Sequence, residues 1–409
     1  MTSSSESYRA TPTLSMFEFV SLMALLTSLV ALAIDAMLPA LDQIGHDLNA
    51  VSSQQAHLIV SIFFAGMAVG QLFFGPFADS RGRRLTILVG CLIFAVGTII
   101  CMFAPTMEIM LLGRLVQAFG VSGPRIAAMA VIRDLFVGEG MAKVMSFIMM
   151  VFILVPMLAP MVGQLILNVY SWPYIFGFFL IVTLITAAWF FARQPETLPR
   201  AHRHPFSWDR FFSSCRFILT NVSVMSYALA MGLIFGAFLA YLSASQTIFS
   251  GFYESADIFP YIFATLASSI GLASFFNGKM VMRLGMRTLC KWAVAGAICF
   301  AVVFNCLLVA YDGLPPMWMT VSTLFVGFFF VGVLFGNLNA IAMIPLGDVA
   351  GLGAAIIGSM TSMFAVPIAT LIDSFVDDNL YPIGLGFLVF FALAQIAMIV
   401  GNRAYDASQ

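Results

Sequence analysis

The sequence predicts an all-α membrane protein with twelve transmembrane helices in two pseudo-symmetric six-helix bundles. Three observations predict it. The 409 residues are 61% hydrophobic and 9% charged, with a mean hydropathy of +1.02, whereas a soluble domain is roughly half apolar and about a quarter charged. Apolar runs long enough to cross a bilayer, about 20 residues each, recur from end to end. The widest polar gap, "RQPETLPRAHRHPFSWDRFFSSCR" at 193–216, splits the chain into halves of nearly equal length, as two repeats about a pseudo-two-fold axis require. The domain plan is therefore a six-helix bundle over 1–192, a linker over 193–216 and a second bundle over 217–409.

The runs fall near 17–38, 56–77, 85–104, 107–131, 143–168, 172–192, 217–241, 257–280, 288–311, 316–344, 351–375 and 382–402. The first follows "MTSSSESYRATPTLSM", which has no lysine-rich region and no small-residue cleavage site, so it is read as a retained helix. The second and third flank "GPFADSRGRRL", a short basic hinge between two apolar runs. The fourth carries two arginines, Arg114 and Arg125. The fifth holds Pro156, Pro160 and Gly163, which remove backbone hydrogen bonds and side-chain bulk and so permit a bend and close packing. Between the eighth and ninth, "NGKMVMRLGMR" is a degenerate copy of the hinge: it keeps Gly285 and Arg287 but has Met282 in place of the aspartate.

Charge placement predicts the orientation. Apart from Arg114 and Arg125, every lysine and arginine falls on one side of the spans. The opposite loops hold Asp42, Asp47, Glu108, Glu254, Asp257, Asp312, Asp377 and Asp378 with no lysine or arginine. By the positive-inside rule, both termini and the linker are expected in the cytoplasm.

Several function classes drop out. "GLASFFNGKM" has the wrong spacing for a phosphate-binding loop, and Met280 stands where Ser or Thr is needed. His46 and His57 are expected outside and His202 and His204 in the linker, so no histidine or carboxylate cluster suggests a metal or a hydrolytic centre. The six cysteines form no CxxC pair, and five lie in apolar runs as small core residues. No cofactor and no nucleic-acid partner is expected. A secondary transporter acting on a small-molecule substrate fits what remains.

The hinge "GPFADSRGRR" resembles the loop between helices 2 and 3 of the major facilitator superfamily, of general form G-x-x-x-D-x-x-G-R-R/K. The resemblance implies an inner gate: Gly75 for close helix approach, Asp79 on the N-terminus of the eleventh helix, Gly82 for the turn, and Arg83 and Arg84 on carboxylates or lipid phosphate. Ser80 takes the slot after the aspartate where a basic residue is common. "LGRLVQAFG" is similar to the R-x-x-Q-G-x-G signature, with Arg114 and Gln117 kept and Ala118 where glycine is usual. "LVPMLAPMVGQL" resembles the antiporter motif in its A-P-x-x-G variant, carried by Pro156, Pro160 and Gly163, with Gln164 replacing the last glycine. "IRDLF", "SWPYIF" and "QPETLP" look like the bicyclomycin-resistance branch of the drug:proton antiporters. The antiporter resemblance implies that the fifth helix blocks leak through the unloaded carrier.

Asp35 in "ALAIDAMLPAL" is the only carboxylate well inside a span of the first half. An acid near a helix C-terminus, where the dipole disfavours an anion, suits a proton carrier; the alternative is that it reaches external water. Arg114 is its candidate partner, because both lie roughly 6–10 Å from the outer ends of their helices at 1.5 Å per residue; a structural tie between helices is the other reading. Asp373 is a second carrier or a solvated outer carboxylate, and Glu18 a dipole partner at the start of helix 1. Gln117, Gln164, Tyr241, Asn337 and Asn339 line the central cavity or bond helix to helix. Arg125 lies about three turns after Arg114 on nearly the same face. It either faces the cavity and favours neutral or anionic substrates, or snorkels to Asp134 and headgroups.

The expected function is proton-coupled efflux of drugs or other small molecules by an antiporter, a monomer in lipid of a bacterial inner membrane. A dedicated exporter of an anionic metabolite such as a siderophore, or of an amino acid, is the alternative in the same scaffold. A non-transporting membrane receptor leaves the intramembrane charges without a purpose.

Overall fold

Capping side chains start several of the spanning helices, and proline or glycine stops others. The computed structural model describes residues 14–136, 144, 148, 155, 158–203 and 208–407. Helix α1 (Met16–Asp35) begins at Ser15, whose hydroxyl accepts the Glu18 amide at 3.3 Å. Pro39 prevents its continuation, and the chain turns through Leu38–Ala40 into a short helix, Leu41–Asp47. Helix α1 thus ends at Asp35, short of the expected 38, while the first apolar span as a whole runs on through the turn to Asp47.

Gly82, at φ +101°, separates α2 (Ser53–Arg81) from α3 (Arg83–Met102). Thr106 caps α4 (Met107–Leu135). The continuous described part of α5 is Leu158–Leu167, and a large part of the first half of the expected span 143–168 lies outside the described residues. Helix α6 (Pro173–Arg193) ends the first half. After it, Trp208–Thr220 forms a separate helix with Phe212 and Phe217 exposed. Asn221 then caps α7 (Val222–Gln246) through the Val224 amide at 3.1 Å, so the seventh span starts at 222 and not at 217. It runs on through a wider turn, Thr247–Phe252. Helices α8 (Phe259–Leu284) and α9 (Met286–Ala310) are divided by Gly285 at φ +77°, the counterpart of Gly82. Both positions lie in the left-handed region that glycine alone enters without strain. Helices α10 (Met317–Met343), α11 (Ala350–Asp373) and α12 (Tyr381–Asp406) complete the chain.

Eleven of these helices are long and apolar enough to cross a membrane. Within the first half, α4 packs on α3, α2 and α1; within the second, α7 packs on α11, α12 and α10. The α3–α4 contact is backbone against backbone: a Cβ on Gly97 would fall 2.3 Å from the Gln117 nitrogen, and one on Gly120 2.2 Å from that of Phe94. Small residues are what allow such an approach in lipid, where apolar side chains gain little from burial against one another.

The halves meet chiefly along α2 and α11. Gln54 donates to the Val376 carbonyl at 2.8 Å and to Asp377 at 3.0 Å. Ser359 donates to the Ala68 carbonyl at 2.7 Å near mid-length. Toward the arginine-rich end, Gly75 faces Ala355. Phe64 also crosses to Phe235 of α7, ring centroids 5.0 Å apart. Below, the end of the molecule bearing Gly82 and Gly285 is called the basic end, and the other the acidic end.

Candidate functional site

The end of α1 builds the centre of the first half. A helix leaves its last carbonyls without amide partners. Here the fully buried Arg114 supplies one: Nη1 donates to the Ala33 carbonyl at 3.1 Å. Its Nε donates to the Ile59 carbonyl of α2 at 3.2 Å, and Nη1 also reaches Gln117 Oε1. Gln117 passes the connection to Thr98 of α3 at 2.8 Å, and the guanidinium lies 4.3 Å from the centre of the Phe63 ring. One arginine thus ties α1, α2, α3 and α4.

Asp35 stands two residues further along, and Arg114 does not pair with it. No ion pair or hydrogen bond of the Asp35 carboxylate is found among the described residues, and only 5% of the residue is reachable by water. The expected carboxylate–arginine pair is replaced by a carbonyl-capping arginine beside a lone acid, because the break at Pro39 turns free carbonyls toward Arg114. Helix α5 closes over the same turn: a Cβ on Gly163 would sit 1.9 Å from the Ala36 carbonyl oxygen. Pro160 is buried one turn earlier, and Pro156 lies outside the described residues.

The remaining cavity candidates separate into three kinds. Gln117 is buried inside the Arg114 network. Asn337 is buried in a reciprocal amide pair with Asn277 of α8 at 2.6 and 3.4 Å, and also donates to the Val333 carbonyl, so it is a tie between helices. Gln164 bonds Asn168 one turn along its own helix at 3.0 Å, and Asn339 is exposed. Tyr241 is buried against Phe328, centroids 4.7 Å apart, and its hydroxyl has no partner among the described residues. Phe235, Phe238 and Phe335 extend this aromatic wall toward Phe64. Arg125 is enclosed by protein yet reachable by water, with its Nη1 3.4 Å from the Met67 sulfur of α2. It reaches neither Asp134 nor any other carboxylate among the described residues.

Asp134 is taken instead by the basic-end loop. Arg83 is buried and bonds Asp79 at 2.7 Å and Asp134 at 3.0 Å. The Glu196 carboxylate accepts the amides of Arg83 and Arg84 at 2.9 and 3.1 Å, capping the start of α3 where the helix dipole favours an anion. Arg84 donates to the Phe191 carbonyl at 2.8 Å. These bonds all stay in the first half and its junction with the linker. The start of α11, where Asp79 is expected to bond, falls at 347–352, whose surroundings lie outside the described residues. A Cβ on Gly75 would meet Ala355 at 3.6 Å, an ordinary contact.

Sequence reasoning missed a cluster at the acidic end. Asp373 is 3% and His57 2% exposed, so the outer position expected of His57 and the solvated alternative for Asp373 do not hold. His57 Nδ1 lies 4.0 Å from Asp373 Oδ2, to which Ser243 donates at 2.6 Å. Thr247 Oγ1 holds the other ring nitrogen at 3.1 Å. Part of the signal was present: the helical pattern of "QQAHLIVSIFF" already runs through His57. Glu18, at the basic end, bonds Arg193 at 2.7 Å and Trp189 at 3.2 Å, joining α1 to α6.

The family model described as Major Facilitator Superfamily matches residues 23–370. The chain belongs to that superfamily. This major facilitator chain is 30% identical over 372 residues to a bicyclomycin resistance protein homolog of Haemophilus influenzae, covering 90% of the one and 92% of the other. It is 34% identical over 202 residues to the multidrug resistance protein MdtL of Vibrio parahaemolyticus, covering 47% and 50%. Among solved structures, a D-xylose-proton symporter shares the fold with a TM-score of 0.73 at 15% identity, over 92% of this chain and 97% of that one. The chain is a multi-pass membrane transporter and not an enzyme.

Proposed function

We propose that this transporter exports small amphipathic compounds from a bacterial cell in exchange for protons, as a monomer in the inner membrane with both termini and the linker in the cytoplasm. The observation that carries the reading is Asp35: a carboxylate at the end of a spanning helix, buried, without a partner found among the described residues, and roofed by the Gly163–Ala36 contact. A bare anion in a dry site is strongly disfavoured, so Asp35 holds a proton while enclosed and gives it up when water or a substrate reaches it. That linkage is what exchange of a proton for a substrate needs. Arg114, by capping α1, fixes the turn on which Asp35 stands; it is a positioning residue. The relatives named for bicyclomycin and multidrug resistance support drugs or drug-like molecules as the substrate class.

Asp35→Asn tests the coupling. The amide resembles the protonated acid and cannot titrate, so in proteoliposomes efflux driven by a pH gradient should be lost while substrate–substrate counterflow continues. Uphill efflux by the Asn variant would place the coupling proton elsewhere. A second reading, export of an anionic metabolite, is favoured by Arg125, whose water-reachable guanidinium has no carboxylate partner among the described residues.

A further inference from the structure

The acidic-end cluster has no role in exchange at Asp35, yet it joins the two halves. His57 belongs to α2 and Asp373 to α11, and these are the helices along which the halves meet. Both side chains are buried. Two of their polar atoms, His57 Nδ1 and Asp373 Oδ1, have no hydrogen-bond partner among the described residues. Buried polar atoms rarely stay unpaired, and here the two orphans belong to neighbouring groups, the ring nitrogen facing Oδ2 of the same carboxylate.

We propose that His57 and Asp373 form a proton-binding site that fastens the acidic ends of the two halves together when occupied and releases them when empty. The charge count decides the sign. With no added proton the buried cluster carries the carboxylate's negative charge, whichever ring nitrogen holds the one N–H of the neutral imidazole, and Ser243 is the donor found for it among the described residues. With one proton, Nδ1–H points at the carboxylate, Nε2–H at Thr247, and the pair is neutral overall. At 4.0 Å the groups are in ion-pair range, and a side-chain adjustment of about 1 Å makes the hydrogen bond. With two protons, an imidazolium faces a neutral acid and the dry site carries a net charge, which is disfavoured. Closed, the site holds one proton.

The surroundings reinforce uptake. Among the described residues, the titratable and charged groups on the packed elements toward this end are Asp35, Asp42, His46, Asp47, Glu108, Asp377, Asp378 and Arg114. Asp42 lies beside Thr247 and Gln246, and Asp377 accepts from Gln54. Arg114, the one lysine or arginine among them, is occupied by two carbonyls and Gln117. When the acidic ends part, both groups meet water, where such a pair is worth little, and the proton returns to the side it came from. The site therefore adds nothing to transport stoichiometry. It requires only that the halves separate at this end, so it stands apart from the assignment of the transported proton to Asp35.

Spin labels test it in the full-length protein, with the native cysteines replaced and the chain in lipid nanodiscs. Val51→Cys and Phe375→Cys place labels at exposed sites on either side of the acidic-end junction. The distance distribution is read by double electron–electron resonance from pH 5 to 9. The closed population should grow as the pH falls, by up to about tenfold in closed-to-open ratio per pH unit for one linked proton. Asp373→Asn, whose amide donates to neutral His57, should stay closed at every pH. His57→Gln should lose the pH dependence, and Asp35→Asn should keep it. A wild-type distribution that ignores pH would overturn the proposal, as would an unchanged pH response in Asp373→Asn. Loss of the response in Asp35→Asn alone would also overturn it, by tracing the closing proton to Asp35.

Discussion

A guanidinium inside a membrane span needs a carbonyl, an anion or water around it. Arg114 has carbonyls; Arg125 has a thioether and an exposed face. An anionic substrate would complete the second site, and a charge-assisted hydrogen bond is worth about 1.5–3 kcal/mol. Arg125→Ala should therefore raise KM for a carboxylate-bearing substrate by about tenfold or more and leave a neutral one nearly unchanged, with Arg125→Lys restoring part of the difference. Paired transport assays in proteoliposomes decide it, and equal losses for both substrates would return Arg125 to a packing role. Which residues carry charge in the spans was legible in the sequence, because 9% charged residues leave few to consider. Which atoms they touch was not. Arg114 finds Ala33 and not Asp35 because Pro39 ends α1 and frees its carbonyls, a geometry that residue depth along a helix does not contain. His57 and Asp373 were out of reach for the same reason: they lie more than 300 positions apart in sequence, and only the docking of α2 on α11 makes them neighbours.

Helices in lipid are held by how closely their backbones approach, and two glycines from the family motifs differ sharply in that respect. Gly163 presses α5 onto the Ala36 carbonyl with no room for a methyl group, whereas Gly75 has ordinary space before Ala355. Gly163→Ala must push α5 off the end of α1 and expose Asp35; it should abolish coupled efflux and let protons leak down a gradient. Gly75→Ala should transport close to wild type. Proton-leak traces from vesicles holding each variant at matched expression make the comparison, and a silent Gly163→Ala would detach α5 from the coupling step. At this scale the sequence was most informative. Apolar runs with their glycine, proline and asparagine punctuation located the eleven described spans to within a few residues at most ends. The misreadings came where a cap competes with an apolar run: Asn221 divides an amphipathic helix from α7 although the residues on both sides are apolar.

Across the whole molecule, the two halves touch at hydrogen bonds that must break and re-form if the cavity is to open at alternate ends. Gln54 and Asp377 form one such bond at the acidic end. A Gln54→Cys/Asp377→Cys pair in a background without other cysteines should cross-link on oxidation, stop transport, and recover it on reduction. Transport through the cross-linked form would mean that this end stays shut throughout the cycle. The packing of the first half adds a mechanical consequence. With α3 and α4 in backbone contact and Arg114 clamping four helices, that half resists bending and acts as a lever. Its longest arms, α2 and α4, are 29 residues each, about 43 Å from tip to tip, which leaves about 20 Å on either side of a central fulcrum. A tilt of roughly 10° then sweeps each tip through about 3–4 Å and moves His57, about 15 Å from the fulcrum, by about 2–3 Å, taking it out of ion-pair range of Asp373 from its 4.0 Å, while the Ser359–Ala68 bond near the fulcrum scarcely stretches. Torque applied at one face of the membrane arrives at the other as displacement, with little of it absorbed on the way.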